Sequence, residues 1–79
     1  MSNCTIWNSN PWGPTSIFYH GQSITVDRDT RFASDKGLPL IDRAISPNGT
    51  IFDIYKGIGR SCLGCEMEFA VAVIISNPV

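Results

Sequence analysis

The motif Cys62-Leu-Gly-Cys65 comes nearest to known site chemistry in residue type and spacing. Two thiolates in such a turn can share one tetrahedral zinc ion, which then needs two further ligands. Cys4 and His20 are the remaining residues of the preferred type, and a site of three cysteines and one histidine would stabilise so small a domain. One unpaired motif is weak support for zinc. We therefore expect no cofactor, with Cys62 and Cys65 as small semi-buried side chains and zinc as the alternative.

Catalytic chemistry has less support than zinc. Thioredoxin-like redox chemistry needs the cysteine motif where a strand feeds a helix, and here it precedes a strand-like run. His20 comes before Gly21 at the tip of an expected hairpin, where a solvated turn residue is usual. The enzyme that we keep as an alternative is a small oligomer with an interface active site that uses His20, Arg60 or Cys62.

The stretch Gly57-Ile-Gly-Arg60 has some of the glycine content of a phosphate-binding loop. It lacks the third glycine of a dinucleotide fingerprint and the Gly-Lys-Ser/Thr of a P-loop. We expect its glycines to bend the backbone before a buried strand, within a connection over residues 56–65. Arg60 is kept as a candidate anion ligand beside these flexible amides.

The N-terminal third of the chain is neutral and rich in aromatic residues. All six Lys and Arg and all seven Asp and Glu lie between Asp27 and Glu68. Rigid aromatic rings among small polar residues are typical of interaction surfaces. We expect at least two of these four rings to pack in the core and the others, Trp12 and Tyr19 near the loops, to form a contact site: Trp7, Trp12, Phe18 and Tyr19. The candidate binding residues are Trp7, Trp12, Tyr19, His20 and Arg60.

Composition and charge exclude several classes of protein. The chain of 79 residues is expected to form a single domain, residues 1–79, and its hydrophobic fraction of 43% suits a folded core. A net charge of −1 argues against a nucleic-acid partner, because phosphates are neutralised by basic patches. The start of the chain lacks the pattern of a signal peptide, and its longest apolar run falls far short of the roughly 20 residues that span a bilayer. With an odd number of cysteines, these features predict a cytoplasmic protein without a membrane partner.

The stretch over residues 66–76 is expected to be the central strand of a sheet, because β-branched residues dominate it. One face would carry Phe69 and Val71 and be covered by aromatic rings of the N-terminal runs and by Phe52 or Ile54. The other face, with Ala70 and Ala72, would need a close neighbour. A packed helix or a second copy of the chain is expected there, so self-association enters the prediction.

The remaining segments predict short strands separated by turns. Residues 4–7, 15–19 and 23–26 are β-prone, residues 27–31 read as a solvated segment, and residues 34–37 read as a turn. Residues 40–55 favour a β-hairpin around Ser46-Pro-Asn-Gly-Thr50. The predicted fold is an all-β small barrel or sandwich of about six short strands. The alternative is an α+β sheet with one short helix at residues 38–45, over the Ala70 and Ala72 face.

These expectations favour a non-enzymatic binding or interaction protein that acts through a neutral, aromatic-rich surface. A small inhibitor or accessory protein of a larger partner fits this description, and the partner is expected to be a protein or a second copy of the chain. The alternative within the binding class is a small-ligand or carbohydrate-binding β-domain, since Trp and Tyr rings with amide hydrogen-bonders also suit sugars.

Overall fold

Six strands and one short helix make up the computed structural model, which describes residues 3–60 and 63–76. The strands form one curled sheet, a half-barrel, so the expectation of an all-β small barrel is confirmed. The elements in chain order are β1 (Cys4–Asn10), β2 (Gly13–Tyr19), β3 (Gln22–Asp27), α1 (Arg31–Lys36), β4 (Leu40–Ile45), β5 (Ile51–Arg60) and β6 (Glu66–Ser76). Within the described residues no helix is long and apolar enough to cross a lipid bilayer.

The sheet consists of two three-stranded antiparallel meanders joined side by side. Its strand order is β1-β2-β3-β6-β5-β4, and every neighbouring pair is antiparallel except β3 with β6. In that parallel pair, Thr25 lies beside Val71 and Asp27 lies beside Val73. Strand β6 is therefore one of the two central strands, as predicted, with β3 of the other meander on one side and β5 of its own meander on the other.

The small residues of β6 face the inside of the curl, which reverses the expected division of its two faces. Ala72 is fully buried and belongs to the concave core, and Ala70 and Ile74 pack against that core. Phe52 and Ile54 from β5 lie on this same side, because they pair directly with Ile74 and Ala72 of β6. The concave core consists of Cys4, Ile17, Tyr19, Ile24, Ala44, Phe52, Ile54 and Ala72. The alanine face is thus covered within the chain and needs no second copy.

The larger residues of β6 face outward, where α1 covers them. Ala33 and Leu38 pack on Val71, with Phe69 and Tyr55 beside them. The alternative helix at residues 38–45 is wrong, since Leu40–Ile45 is a strand, and the helix lies earlier and on the opposite face. Six residues give too few turns for an apolar period to appear in the sequence, so the helix was missed.

Helix α1 ends where a turn was expected from Ser34 to Gly37. Gly37 adopts a left-handed conformation at φ 67°, and its N–H donates to the carbonyl oxygen of Ser34 at 3.1 Å. The N–H of Leu38 donates to the carbonyl of Ala33 at 2.9 Å. These bonds satisfy two of the carbonyl groups in the last turn of the helix. Of the predicted turn, only Gly37 lies outside the helix; Ser34 to Lys36 form the end of a helix that packing on Val71 stabilises.

The hairpin of β4 and β5 has the predicted turn. The N–H of Gly49 donates to the carbonyl of Ser46 at 2.9 Å, and the N–H of Ser46 donates to the carbonyl of Thr50 at 3.0 Å. Pro47 occupies the first central position, and Gly49 has φ 94°, which favours glycine. This turn confirms the preference for a hairpin over a helix in residues 40–55.

Gly57 and Gly59 lie within β5 and are paired with β6. The prediction that they belong to a connection over residues 56–65 is therefore wrong. A Cβ at Gly57 would lie 2.9 Å from Cδ of Pro39, and one at Gly59 would lie 3.1 Å from the Phe69 ring. The glycines leave room for the segment after α1 and for Phe69 to lie against the outer face of β5. Their role is close packing, since both have ordinary extended backbone.

The edge strands β1 and β4 meet at Asn3. Its backbone N–H donates to the carbonyl of Ile45 at 3.1 Å, its side-chain Nδ2 donates to the carbonyl of Arg43 at 3.1 Å, and its Oδ1 accepts from the N–H of Ile45 at 2.8 Å. The N–H of Arg43 donates to Oδ1 of Asp42 at 2.8 Å. Asn3 and Asp42 therefore occupy the edge of β4 that a further strand would otherwise pair with.

We expect Gly57→Ala to destabilise the protein by about 1 to 3 kcal/mol, because the new methyl group overlaps Pro39. In a Pro39→Ala background the same change should cost about 1 kcal/mol less, since the opposing Cδ is gone. Urea unfolding of the four proteins of this double-mutant cycle measures both values. An equal cost in the two backgrounds would contradict close packing as the reason for the glycine.

We call the line where β1 and β4 meet the seam. Asn3→Ala should lower the free energy of unfolding by about 1 to 2 kcal/mol, because two side-chain hydrogen bonds across this seam are lost. Asn8→Ala, at an exposed position of β1, is the matched control and should change it by about 0.5 kcal/mol or less. Hydrogen exchange gives a local readout: the amide of Ile45 should lose protection in Asn3→Ala only. Unchanged protection there would show that Asn3 does not hold the seam.

Candidate binding surface

The outer side of β1, β2 and β3 carries an exposed aromatic surface. Trp7 is 60% exposed and Phe18 is 48% exposed. Trp7 lies at an irregularity of the β1–β2 register, and its indole Nε1 donates to Oγ of Ser23 on β3 at 3.1 Å. Because β2 separates these two strands, the side chain of Trp7 crosses the outer side of β2. We call Trp7, Phe18 and Ser23 the aromatic face.

Trp12 is a further exposed aromatic residue, at the turn between β1 and β2. Its side chain is 75% exposed, while its backbone is fixed at both ends. The N–H of Trp12 donates to Oδ1 of Asn10 at 2.9 Å, and its carbonyl accepts a hydrogen bond from the guanidinium of Arg28. The turn is thereby tied to the segment that follows β3.

Tyr19 is a core residue, which corrects its assignment to the contact site. It is only 8% exposed. From β2, its hydroxyl reaches across the seam between β1 and β4 and donates to Oδ2 of Asp42 on β4. Burial, followed by this hydrogen bond, raises the pKa of Tyr19 to about 12. The same bond, followed by the N–H of Arg43, lowers the pKa of Asp42. Tyr19 is therefore the one buried ring among the four N-terminal aromatic residues, where at least two were expected.

His20 is an exposed turn residue beside that buried ring. With Gly21 it forms the tight loop between β2 and β3, and both residues have positive φ, 49° and 77°. Positive φ at both central positions is what a two-residue hairpin loop of this hand requires. The imidazole packs edge-on against Tyr19, with ring centroids 4.3 Å apart. The predicted hairpin is confirmed, and the His20 ring contacts a core residue.

The zinc candidates are spread over different environments. Cys4 is buried in the concave core, and burial raises the pKa of its thiol. Cys65 is exposed before β6, and Cys62 lies outside the described residues. Over residues 3–60 and 63–76, no three His, Cys, Asp or Glu side chains come together in a way that would hold a metal ion.

Arg60 is exposed at the end of β5, and its carbonyl accepts a hydrogen bond from Nζ of Lys36 at 3.0 Å. The anion hypothesis placed it beside flexible glycine amides. That premise is wrong, because Gly57 and Gly59 are paired with β6 and packed against Pro39 and Phe69. The candidate anion cradle is therefore a regular part of the sheet.

A cleft of 290 Å³ lies beside the aromatic face, between β3, β6 and α1. Two phenyl rings form part of its wall: Phe32 of α1 and Phe69 of β6 meet edge to face, with centroids 6.1 Å apart. Thr25 and Asp27 of β3 supply a hydroxyl and a carboxylate. The lining residues are Thr25, Asp27, Phe32, Phe69, Ala70 and Val71.

The sequence did not point to this cleft. Phe32 falls between the segments that were read as solvated and as a turn, and Phe69 was assigned only to the core strand. The clue that was present is the alternation along β3, since Ser23, Thr25 and Asp27 must share one side of the strand. Only the parallel pairing of β3 with β6 brings that side next to Phe69. A second, shallower cavity of 240 Å³ lies on the seam, lined by Thr5, Ile6, Ser46, Pro47 and Asn48.

Tyr19→Phe should lower the urea midpoint most between about pH 5 and pH 9, where the hydroxyl is neutral and Asp42 is ionised. The pKa of Asp42 is lowered, so its contribution is lost as the pH falls below the ordinary value of a carboxyl group. The pKa of Tyr19 is raised, so its contribution is lost as the pH rises from 10 to about 12. The difference between the two proteins should therefore shrink at both ends of the pH range.

Tyr55→Phe, on the outer face, is the matched control and should not reproduce this pH dependence. Urea unfolding at a series of pH values measures all three proteins. A difference between wild type and Tyr19→Phe that stays constant from low to high pH would contradict the bond to Asp42.

Comparisons with known proteins assign no family to this chain. No family model matches it, and neither does any curated protein or any solved structure.

Proposed function

We propose that this protein is a non-enzymatic binding domain that recognises a protein partner through the aromatic face and the adjoining Trp12. The observation that carries the proposal is the fixed, exposed indole of Trp7, held across β2 by its hydrogen bond to Ser23. An exposed ring that is already held in place loses little conformational entropy on binding. Tryptophan is also enriched among the residues that dominate binding energies at protein interfaces.

The exposure of Trp7, Trp12 and Phe18 is informative because the domain is small. Its concave core is closed by aliphatic residues together with Phe52 and Tyr19. Both tryptophans of the chain remain outside that core, although burying such rings would contribute strongly to stability. Clustered large apolar side chains on the surface mark interaction sites more often than isolated ones do.

Charge favours a protein partner over a nucleic acid. Residues 3–26 contain no charged side chain, so the aromatic face lacks basic residues of its own. Proteins that stack single-stranded bases on aromatic rings combine those rings with a positively charged groove. Arg28 is the nearest basic residue in sequence, and its guanidinium is engaged by the carbonyl of Trp12.

A carbohydrate is the second candidate, because sugars stack on exposed tryptophan rings. Sugar recognition also needs free polar groups around the ring. Here the indole N–H of Trp7 and the hydroxyl of Ser23 engage each other, and Oδ1 of Asn10 accepts from the backbone of Trp12. These internal bonds favour the apolar contact area of a protein interface.

The proposal is tested by placing a photo-crosslinking amino acid at Phe18 and, as the control, at Ile58. Ile58 is a comparably exposed apolar residue on β5, with 63% of its surface exposed. A partner protein should crosslink at position 18 and not at position 58 in lysate of the source cells. It is then identified by mass spectrometry and purified for calorimetric titration.

In that titration Trp7→Ala should weaken the affinity about 10- to 100-fold, which is the size of effect at interface hot spots. Ile58→Ala should leave the affinity unchanged. Equal crosslinking at both positions, or equal affinity of Trp7→Ala and wild type, would contradict the proposal. Binding of an oligosaccharide that is lost in Trp7→Ala would replace the protein partner by a sugar.

A further inference from the structure

We propose that the cleft between β3, β6 and α1 receives an arginine side chain of the protein partner. The inference rests on the proposed function and names what the partner must present. An arginine has an apolar stem for the phenyl rings and a planar, charged head for a carboxylate, and the cleft supplies both surfaces.

The size of the cleft suits one side chain. Its volume of 290 Å³ lies just below the range of about 300 to 1,000 Å³ that is typical of sites for whole drug-sized ligands. The wall formed by Phe32, Phe69 and Val71 is apolar. A guanidinium group is weakly hydrated and stacks on aromatic rings, so it enters such a wall at lower cost than an ammonium group.

Charge in the cleft comes from Asp27, its one ionisable lining residue among those described. Oδ1 of Asp27 accepts the backbone N–H of Arg28 at 2.9 Å, which fixes the carboxylate and leaves Oδ2 for a cation. The hydroxyl of Thr25, two residues earlier on the same side of β3, is a further acceptor. Two basic residues nearby have partners within the protein. The guanidinium of Arg28 donates to the carbonyl of Trp12, and Nζ of Lys36 donates to the carbonyl of Arg60 while lying 4.9 Å from the centroid of the Phe69 ring, so a bound arginine uses Phe32 and the part of Phe69 that Lys36 leaves open.

The cleft continues the aromatic face along β3. Ser23, which holds Trp7, and Thr25 lie about 6.7 Å apart on the same side of the strand. A partner seated on Trp7 and Phe18 therefore has the cleft within reach of one adjacent long side chain.

The test uses N-acetyl-arginine methylamide as the probe, titrated into the labelled protein and followed by nuclear magnetic resonance. The aromatic signals of Phe32 and Phe69 and the methyl signals of Val71 should shift in a saturable manner. The neutral isostere N-acetyl-citrulline methylamide should bind about fivefold more weakly, since it lacks the charge that pairs with Asp27.

Asp27→Asn should reduce arginine binding to the level of citrulline, because it keeps Oδ1 for the Arg28 N–H and removes the charge. Asp35→Asn, on the exposed surface of α1, is the matched control and should leave binding unchanged. Three results would each overturn the inference: absent or non-saturable shifts, equal binding of the two probes, or arginine binding by Asp27→Asn that equals that of the wild type.

The probe reports on the cleft without any partner, so the two proposals fail separately. Loss of arginine binding with an intact crosslink at position 18 removes the cleft and retains the aromatic face. Saturable arginine binding without such a crosslink removes the aromatic face as a partner site and retains the cleft.

Discussion

The curled sheet depends on a seam between its two edge strands that side chains hold together. A sheet of six strands exposes the edge of β1 and the edge of β4, and each edge could pair with another chain. Asn3 joins the two strands through hydrogen bonds from both its backbone and its side-chain amide to β4. Tyr19, on the neighbouring strand β2, donates its hydroxyl to Asp42 on β4. The curl that these bonds maintain brings the buried side chains of β1 and β2 towards Phe52 and Ile54 of β5 and so closes the concave core.

The size difference between the two faces of β6 follows from this curl. Space inside a narrow half-barrel is limited, so Ala70 and Ala72 lie inside, where strands from the far side approach closely. The outer side has no such limit, and the larger Phe69 and Val71 lie there under α1. The same outer packing positions Phe32 against Phe69 and opens the cleft beside the aromatic face.

Local patterns in the sequence were sufficient for the all-β fold and for most of its strands and turns, but not for helix α1 or for the end of β5. The hairpin around Pro47 and Gly49 and the loop at His20 and Gly21 were predictable because proline fixes φ and glycine readily adopts the positive φ that such turns require. The assignment of the two faces of β6 to the inside and the outside of the curl was not predictable. Alternation identifies two faces but does not show which of them is concave. The burial of Tyr19 and the cleft at Phe32 both depend on contacts between strands that are distant in sequence, and no local pattern encodes those.

The parallel pairing of β3 with β6 has a consequence for how the chain reaches this structure. Each meander is built from neighbouring strands joined by short turns, whereas Thr25 and Val71 are brought together from opposite parts of the chain. Closing a long loop costs entropy before its contacts form, so we expect docking of the two meanders to be the slow event in folding. Until docking occurs, β3 and β6 present open edges, and at high concentration a meander of one molecule can dock on the complementary meander of another.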